Sequence, residues 1–290
     1  MKLISYLEKS GRESCGLVTG DAAKPTGIID LGDRYTSLRA LLADPSGLEY
    51  ARSRANGQPS AAWGDVRLLP VITDPSKILC VGVNYASHIK ETGRETPTKP
   101  MIFNRFAETQ VGANEDMLCP KVSEQFDYEG ELAVIIGKRS RYVTPEQAMH
   151  RVAGYSCYND GSVRDWQRHS QQFAPGKNFP KTGAFGPWLV TTDELPDISA
   201  QTLKTRLNGE EVQNATLDDL IFNVPELVSY CSSFITLEPG DVIITGTTGG
   251  VGAFHKPPLW MKAGDKVEIE ISGIGILRNG IVKEPADFAI

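Results

Sequence analysis

Beyond residue 75 the hydrophobic pattern is that of strands. ILCVGV (78–83), MIFNRF (101–106), GELAVIIG (130–137), VAGYSCYND (152–160), GPWLVT (186–191), LKTRLNGEEV (203–212), DVIITGTTGG (241–250) and KVEIEISGIGILRNGIV (266–282) are rich in β-branched residues or alternate apolar with polar. LNGEE, residues 207–211, places Asn-Gly where a hairpin turn needs it. Helical spacing is confined to three stretches. SLRALLADPSGLEYARSRA (37–55) has apolar residues three and four apart, TPEQAMHRV (144–152) opens with a threonine cap and a proline, and LDDLIFNVPELVSYCSSF (217–234) is periodic with Pro225 expected to interrupt it. Before residue 75, MKLISYL, SCGLVTG and KPTGIIDLG read as three short strands.

The polar, Gly- and Pro-containing stretch NGQPSAAWGD (56–65) is the natural linker, dividing a small N-terminal α/β module at 1–70 from a larger domain at 71–290. Strands and helices do not alternate as βαβ units, which argues against a doubly wound sheet; an α+β, mostly β architecture is expected. There is no internal repeat and no low-complexity segment.

Composition sharpens this only at the margins. The 290 residues are 40% hydrophobic and 23% charged, ordinary for a chain that buries a core. A net charge of -6 with scattered basic residues argues against nucleic acid as a partner. Five cysteines, widely spaced and without a CxxC pair, point to a reducing compartment. With no apolar run of membrane-spanning length, a cytoplasmic protein that does not contact membranes is expected.

Three stretches carry chemistry. In FDYEGEL (126–132), period-2 geometry puts Asp127, Glu129 and Glu131 on one face of a strand, and burying them needs solvent, an arginine or a metal ion as offset. YNDGSVRDWQ (158–167) ends an aromatic strand at Asp160 and continues through Arg164 and Gln167. Carboxylates from two strands suit a hard cation such as Mg²⁺ better than zinc, since no cysteine lies beside them; a solvated strand edge is the plainer alternative. NYASHIKETG (84–93) sets His88 and Glu91 one helical turn apart, so the carboxylate can orient the imidazole for proton transfer, or the two form no more than a surface ion pair or a helix cap. His150 and His169 read as structural or solvent-facing. Lys177 sits in the Gly/Pro-punctuated loop FAPGKNFPKTGAFGP, but Lys181 lies four residues away and the sequence does not choose between them. TGTTGGVG (245–252) follows a strand without matching a phosphate loop and reads as a loop closing over a small ligand through backbone N–H groups.

The order KILCVGVNYASHIKETG, FDYEGELAVIIGK, CYNDGSVRDWQ, a GK loop and LEPGDVIITGTTGGVG resembles the fumarylacetoacetate hydrolase family over roughly residues 75–285. The resemblance implies a mixed β-sandwich roll, a homodimer and a bound Mg²⁺, with Mn²⁺ or Ca²⁺ as substitutes. It assigns Glu129, Glu131 and Asp160 to the metal, His88, Glu91 and Lys177 to catalysis, and Arg105, Arg164, Gln167 and Thr247 to the substrate. Two departures stand out: Thr248 replaces the proline of the family's TGTP loop, and Arg105 stands where many relatives carry a lysine. The expected activity is metal-dependent hydrolysis of a C–C bond in a 1,3-diketo acid of the acylpyruvate or fumarylpyruvate type, from aromatic or sugar-acid breakdown. The alternatives are oxaloacetate-type decarboxylation or hydroxymuconate-type isomerisation at the same site, and, from another class, non-catalytic oxo-acid binding.

Overall fold

Residues 1–93 and 95–288 are described by the structure, a computed structural model. Its larger layer is a 12-stranded mixed sheet. Across it run Ala61–Ala62, Lys24–Asp30, Glu13–Asp21, Lys2–Glu8, Gly183–Thr191, Val152–Asp160, Gly130–Ile136, Val242–Thr247, Ile78–Gly82 and Met101–Arg105. A five-stranded sheet packs against it, in the order Glu210–Thr216, Thr202–Leu207, Lys266–Ile271, Gly275–Lys283 and Met117–Cys119.

Burial separates the two layers as their sequences require. Thr202–Leu207 alternates buried with half-buried residues, so only one face meets the core. Every residue of Gly130–Ile136 and Val152–Asp160 is buried, because both faces of the large sheet are covered. Leu132, Val134 and Ile136 point to the side where Leu203, Ile269 and Leu277 of the smaller sheet and Leu227 and Val228 of a helix complete the core. Ala133 and Ile135 point to the other side, where Leu38, Leu41 and Leu42 join Leu189 and Ile244. The N-terminal strands feed directly into this arrangement. Lys2–Glu8 pairs antiparallel with Gly183–Thr191, Leu3 opposite Leu189, so the small module continues the main sheet.

The helical stretches form with two differences from the periodicity. The 37–55 run is two helices, Leu38–Ala43 and Gly47–Arg54. Pro45 forces the preceding Asp44 out of the helical region, to φ -80 and ψ 120, and breaks the run there. Pro225 does not interrupt a helix; it lies in the first turn of Val224–Phe234, where its missing N–H costs nothing, and the preceding LDD is a short 3₁₀ turn. Asn223 caps that helix: its side chain accepts from the Glu226 N–H at 3.0 Å while the Glu226 carboxylate takes the Asn223 N–H at 2.8 Å. The Asn208-Gly209 turn forms as expected, both residues having positive φ, and joins Thr202–Leu207 to Glu210–Thr216.

Asn223→Ala removes one cap hydrogen bond and is expected to lower stability by about 1 kcal/mol. A denaturant titration checks this, with metal affinity unchanged because the helix lies outside the carboxylate cluster.

Candidate metal and proton-transfer site

The acidic pair lies where two antiparallel strands meet end to end. Glu131 faces Tyr158 in the register and the Asp160 N–H donates to the Glu129 carbonyl at 2.9 Å, so the start of one strand and the end of the next deliver their carboxylates together. Ligand atoms of Glu129, Glu131 and Asp160 lie within 4.8 Å of one another, and all three residues are buried. Three oxygen donors at that spacing fit a hard divalent cation that keeps open positions for water or substrate oxygens.

Burying these carboxylates demands compensation, and basic side chains supply it. Lys177 Nζ donates to Glu129 Oε2 at 2.6 Å and to Asp160 Oδ2 at 2.7 Å. Arg164 pairs with Asp127 Oδ2 at 2.8 Å through Nε and lies 2.7 Å from Glu129 Oε1 through Nη2. Arg105 donates to Asp160 Oδ1 at 2.6 Å, to the Gly161 carbonyl at 3.0 Å and to the Thr182 hydroxyl at 2.8 Å. The consequences differ by group. Burial pushes the Glu129 carboxyl up, but Arg164 and Lys177 together outweigh it and hold it below the usual carboxylate range. Glu131 has no cation in contact; burial, then Asp160 and Glu129, push it well above that range, with Lys177 and the Gly246 N–H opposing. Burial works against the Lys177 ammonium, yet Asp160 and Glu129 raise it on balance, so it stays charged.

The glycine-rich loop is spent differently from expectation. Gly246 sits at φ +102 beside a register shift in the pairing of Gly130–Ile136 with Val242–Thr247, and its N–H reaches Glu131 Oε2 at 2.5 Å. Gly250 N–H donates to Glu91 Oε1 at 2.9 Å. These two donors therefore bind acidic side chains of the site itself, not a ligand. Glu91 in turn lies 3.1 Å from His88 Nδ1, so the dyad expected from the sequence forms, with Nε2 as the nitrogen that Glu91 leaves free. The short helix that carries it, Ala86–Thr92, is tied down by Asn84. That side chain donates to the Phe222 and Thr245 carbonyls at 3.0 and 2.8 Å and accepts from the Phe222 N–H at 2.8 Å.

One cavity of about 630 Å³ gathers these groups, with His88, Glu129, Glu131, Arg164, Lys177 and Thr247 on its wall. Gln167 also lines it and accepts from Arg164 Nη1 at 2.9 Å. Thr247 is fixed in place, its hydroxyl donating to the Gly130 carbonyl at 3.0 Å and accepting from Gln213 at 2.8 Å. Arg105 is placed differently from the sequence expectation. It is 2% exposed and lies behind Asp160, off the cavity wall, as a support for that carboxylate and not as a substrate contact. Lys181 pairs with Glu115 at 3.4 Å, which leaves Lys177 as the site lysine. His150 is exposed, and His169 stacks on Trp166 with ring centroids 4.8 Å apart. Asn84 and Gln213 escaped the sequence reading because amides have no spacing signature; their importance comes from partners more than 30 residues away, such as the Gly130 N–H on Gln213 Oε1.

A family model described as Fumarylacetoacetate (FAA) hydrolase C-terminal matches residues 77–282. The chain belongs to this family. Among proteins of this family and its neighbours, it is 41% identical over 233 residues to a Bos taurus protein named oxaloacetate tautomerase FAHD2A, mitochondrial, covering 80% of this chain and 74% of that one. Among solved structures, the 5-carboxymethyl-2-hydroxymuconate delta-isomerase of Mycobacterium smegmatis superposes with a TM-score of 0.79 at 31% identity, over 98% of this chain and 100% of the other. The maleylpyruvate hydrolase of Sphingobium sp. SYK-6, in complex with manganese(II) and pyruvate, superposes with a TM-score of 0.81 at 27% identity, over 98% and 100% of the two chains. The fumarylacetoacetate hydrolase architecture, a mostly β sandwich with a small N-terminal module, is thus shared. The expectation of a cytoplasmic protein is corrected: the 41% identical tautomerase is a mitochondrial protein by name. The five cysteines, all free, carry no information that separates cytoplasm from the mitochondrial interior.

Burial and the neighbouring carboxylates favour the protonated form of Glu131, whereas a ligand carboxylate is ionised, so metal binding is expected to release protons and affinity to fall as pH is lowered. Calorimetry with Mg²⁺ in two buffers of different ionisation enthalpy reads this directly; an identical heat in both contradicts it. Gly246→Ala puts a Cβ 2.8 Å from the Asn84 Cβ at a backbone conformation that disfavours it. It is expected to weaken metal binding at least about tenfold by withdrawing the N–H from Glu131.

Proposed function

We propose that this protein interconverts tautomers or double-bond isomers of a small 2-oxo acid of the oxaloacetate type, with a divalent cation, Mg²⁺ in first place, held by Glu129, Glu131 and Asp160. The observation that carries the reading is the combination of the His88–Glu91 dyad on the cavity with 41% identity to an oxaloacetate tautomerase. Hydrolysis of a diketo acid, the first expectation from the sequence, needs the same metal site, but its support comes from more distant structures, such as the 27% identical maleylpyruvate hydrolase.

Held by Glu129, Glu131 and Asp160, a divalent cation would supply Lewis-acid polarisation of the substrate. What remains is proton movement by the chain's own residues. Nε2 of His88 accepts the proton from the carbon next to the oxo group, and the electron pair of that C–H bond moves into the new C=C bond as the carbonyl oxygen takes the negative charge. Glu91, on Nδ1, fixes the ring and stabilises its charged form. Lys177 has three N–H bonds and spends two on Glu129 and Asp160, so one remains for oxygen charge in the cavity. Returning the proton from His88 to that oxygen completes enol formation, and the reverse order gives ketonisation. The polar walls orient the substrate, Arg164 and Gln167 acting as a bonded pair.

With Mg²⁺ present, the protein is expected to accelerate the ultraviolet absorbance decay of freshly dissolved enol oxaloacetate and to catalyse deuterium uptake at its C3 in D₂O. His88→Ala is expected to lower kcat for both by about 10²- to 10⁴-fold while leaving Mg²⁺ affinity intact. Cleavage of an acylpyruvate with ¹⁸O from water in the released acid, and no acceleration of either oxaloacetate process, would falsify the reading in favour of hydrolysis.

A further inference from the structure

The cations of the cavity are not equally engaged. Lys177 is committed to Glu129 and Asp160, and Arg164 to Asp127, Glu129 and Gln167. Arg105, behind the wall, is committed to Asp160. Arg168 is the exception: among the described residues it is the one arginine or lysine on the cavity wall whose side chain has no ion pair and no hydrogen bond. Its neighbour Asp165 is already held by the Ser123 hydroxyl at 2.6 Å and makes no ion pair with it.

Arg168 is also held in place. It terminates the short helix Arg164–Gln167, and its backbone N–H bonds to the Asp165 carbonyl at 3.2 Å. On either side, Trp166 is wedged edge-on against Phe179, with ring centroids 5.2 Å apart, and stacks with His169. Polar Ser170 and Gln171 line the cavity next to it, whereas Met101, Phe103 and Phe173 form an apolar wall. Arg168 is thus an exposed residue of the cavity wall, next in sequence to its polar lining residues and without a side-chain partner.

Charge balance gives this a meaning. With a divalent cation held by ionised Glu129, Glu131 and Asp160, the four carboxylates of the floor, counting Asp127, would be opposed by that ion and the three cations Arg105, Arg164 and Lys177. The balance would be one positive charge, which matches one substrate carboxylate. A second carboxylate would find Arg105 and Arg164 already paired and the one remaining Lys177 N–H taken by the reacting oxygen, and an unpaired anion in a half-enclosed cavity is unfavourable. We propose that Arg168 is the specificity residue that receives the distal carboxylate, so that this cavity selects dicarboxylic over monocarboxylic 2-oxo acids. The assignment deepens the proposed oxo-acid chemistry and rests on it for the reaction, but not for the recognition.

Binding separates the two. Calorimetry on the Mg²⁺-loaded protein compares 2-oxoglutarate with 2-oxopentanoate, which differ by the distal carboxylate alone. The expected result is tighter binding of the diacid in the native protein, about five- to tenfold weaker diacid binding in Arg168→Gln with the monoacid unchanged, and partial recovery in Arg168→Lys. Raising the salt concentration should erode the diacid preference in the native protein and not in Arg168→Gln. Equal binding of both ligands, binding of neither, or an equal loss for both in Arg168→Gln overturns the assignment. In parallel, Arg168→Gln should raise KM for oxaloacetate about five- to tenfold with little change in kcat; a kcat effect without a KM effect also overturns it. If oxaloacetate is not turned over while the diacid preference depends on Arg168, the tautomerase reading fails and the specificity residue stands.

Discussion

The burial of like charges at the meeting point of two strands is the constraint that the rest of the site obeys. Glu129, Glu131 and Asp160 are placed within ligand distance by antiparallel register, and nothing in a β-sheet relieves the repulsion that follows. Removing one partner from a buried charge pair typically costs several kcal/mol, about 3–5, because the other is left uncompensated. That explains why Arg105, Arg164 and Lys177, from three separate segments, converge on the cluster. It also explains why Glu131 is pushed well above the usual carboxylate range: it has backbone N–H support but no cation in contact. Three of the four buried carboxylates at the site thus have a basic partner, and Glu131 is the one left for a metal ion to balance.

The sequence revealed the architecture more readily than the roles. β-Branched runs and alternation located most strands of both sheets but not Ala61–Ala62 or Met117–Cys119, and the paired glutamates with Asp160 stood out because carboxylates at the ends of buried strands contradict their surroundings. The His88–Glu91 pair was legible because helix geometry makes three-residue spacing a contact. Arg105 shows where such reading stops. A charged residue ending a strand looks the same in sequence whether it faces the cavity or the back of a ligand, and only the fold places it behind Asp160. The glycine-rich run was rightly seen as a loop at the site, but the destination of each N–H depends on Glu131 and Glu91, both distant in sequence. Pro225 was misread for a local reason: a proline within a periodic stretch breaks a helix or begins one, and the Asn223 cap decides which.

The Gly246–Gly250 loop acts as a yoke. One end grips Glu131, of the metal cluster, and the other grips Glu91, which orients His88. Asn84 fastens the segment just before the His88 helix to the same strand from which the loop emerges. His88 and the carboxylate cluster are therefore linked through one loop, by bonds that do not involve the outer walls of the cavity.

The outer rim is built on another plan. The side chains of residues 168–172 make no bond to the carboxylate cluster; the Ser170 hydroxyl donates to the Gln172 carbonyl and accepts from the Gln172 N–H, and His169 leans on Trp166. A substitution on the floor disturbs several partners at once, whereas one on the rim disturbs almost none. The rim can therefore be altered one side chain at a time while every bond that holds Glu129, Glu131 and Asp160 stays in place, so the shape of the entrance and the geometry of the floor are separable properties of this fold.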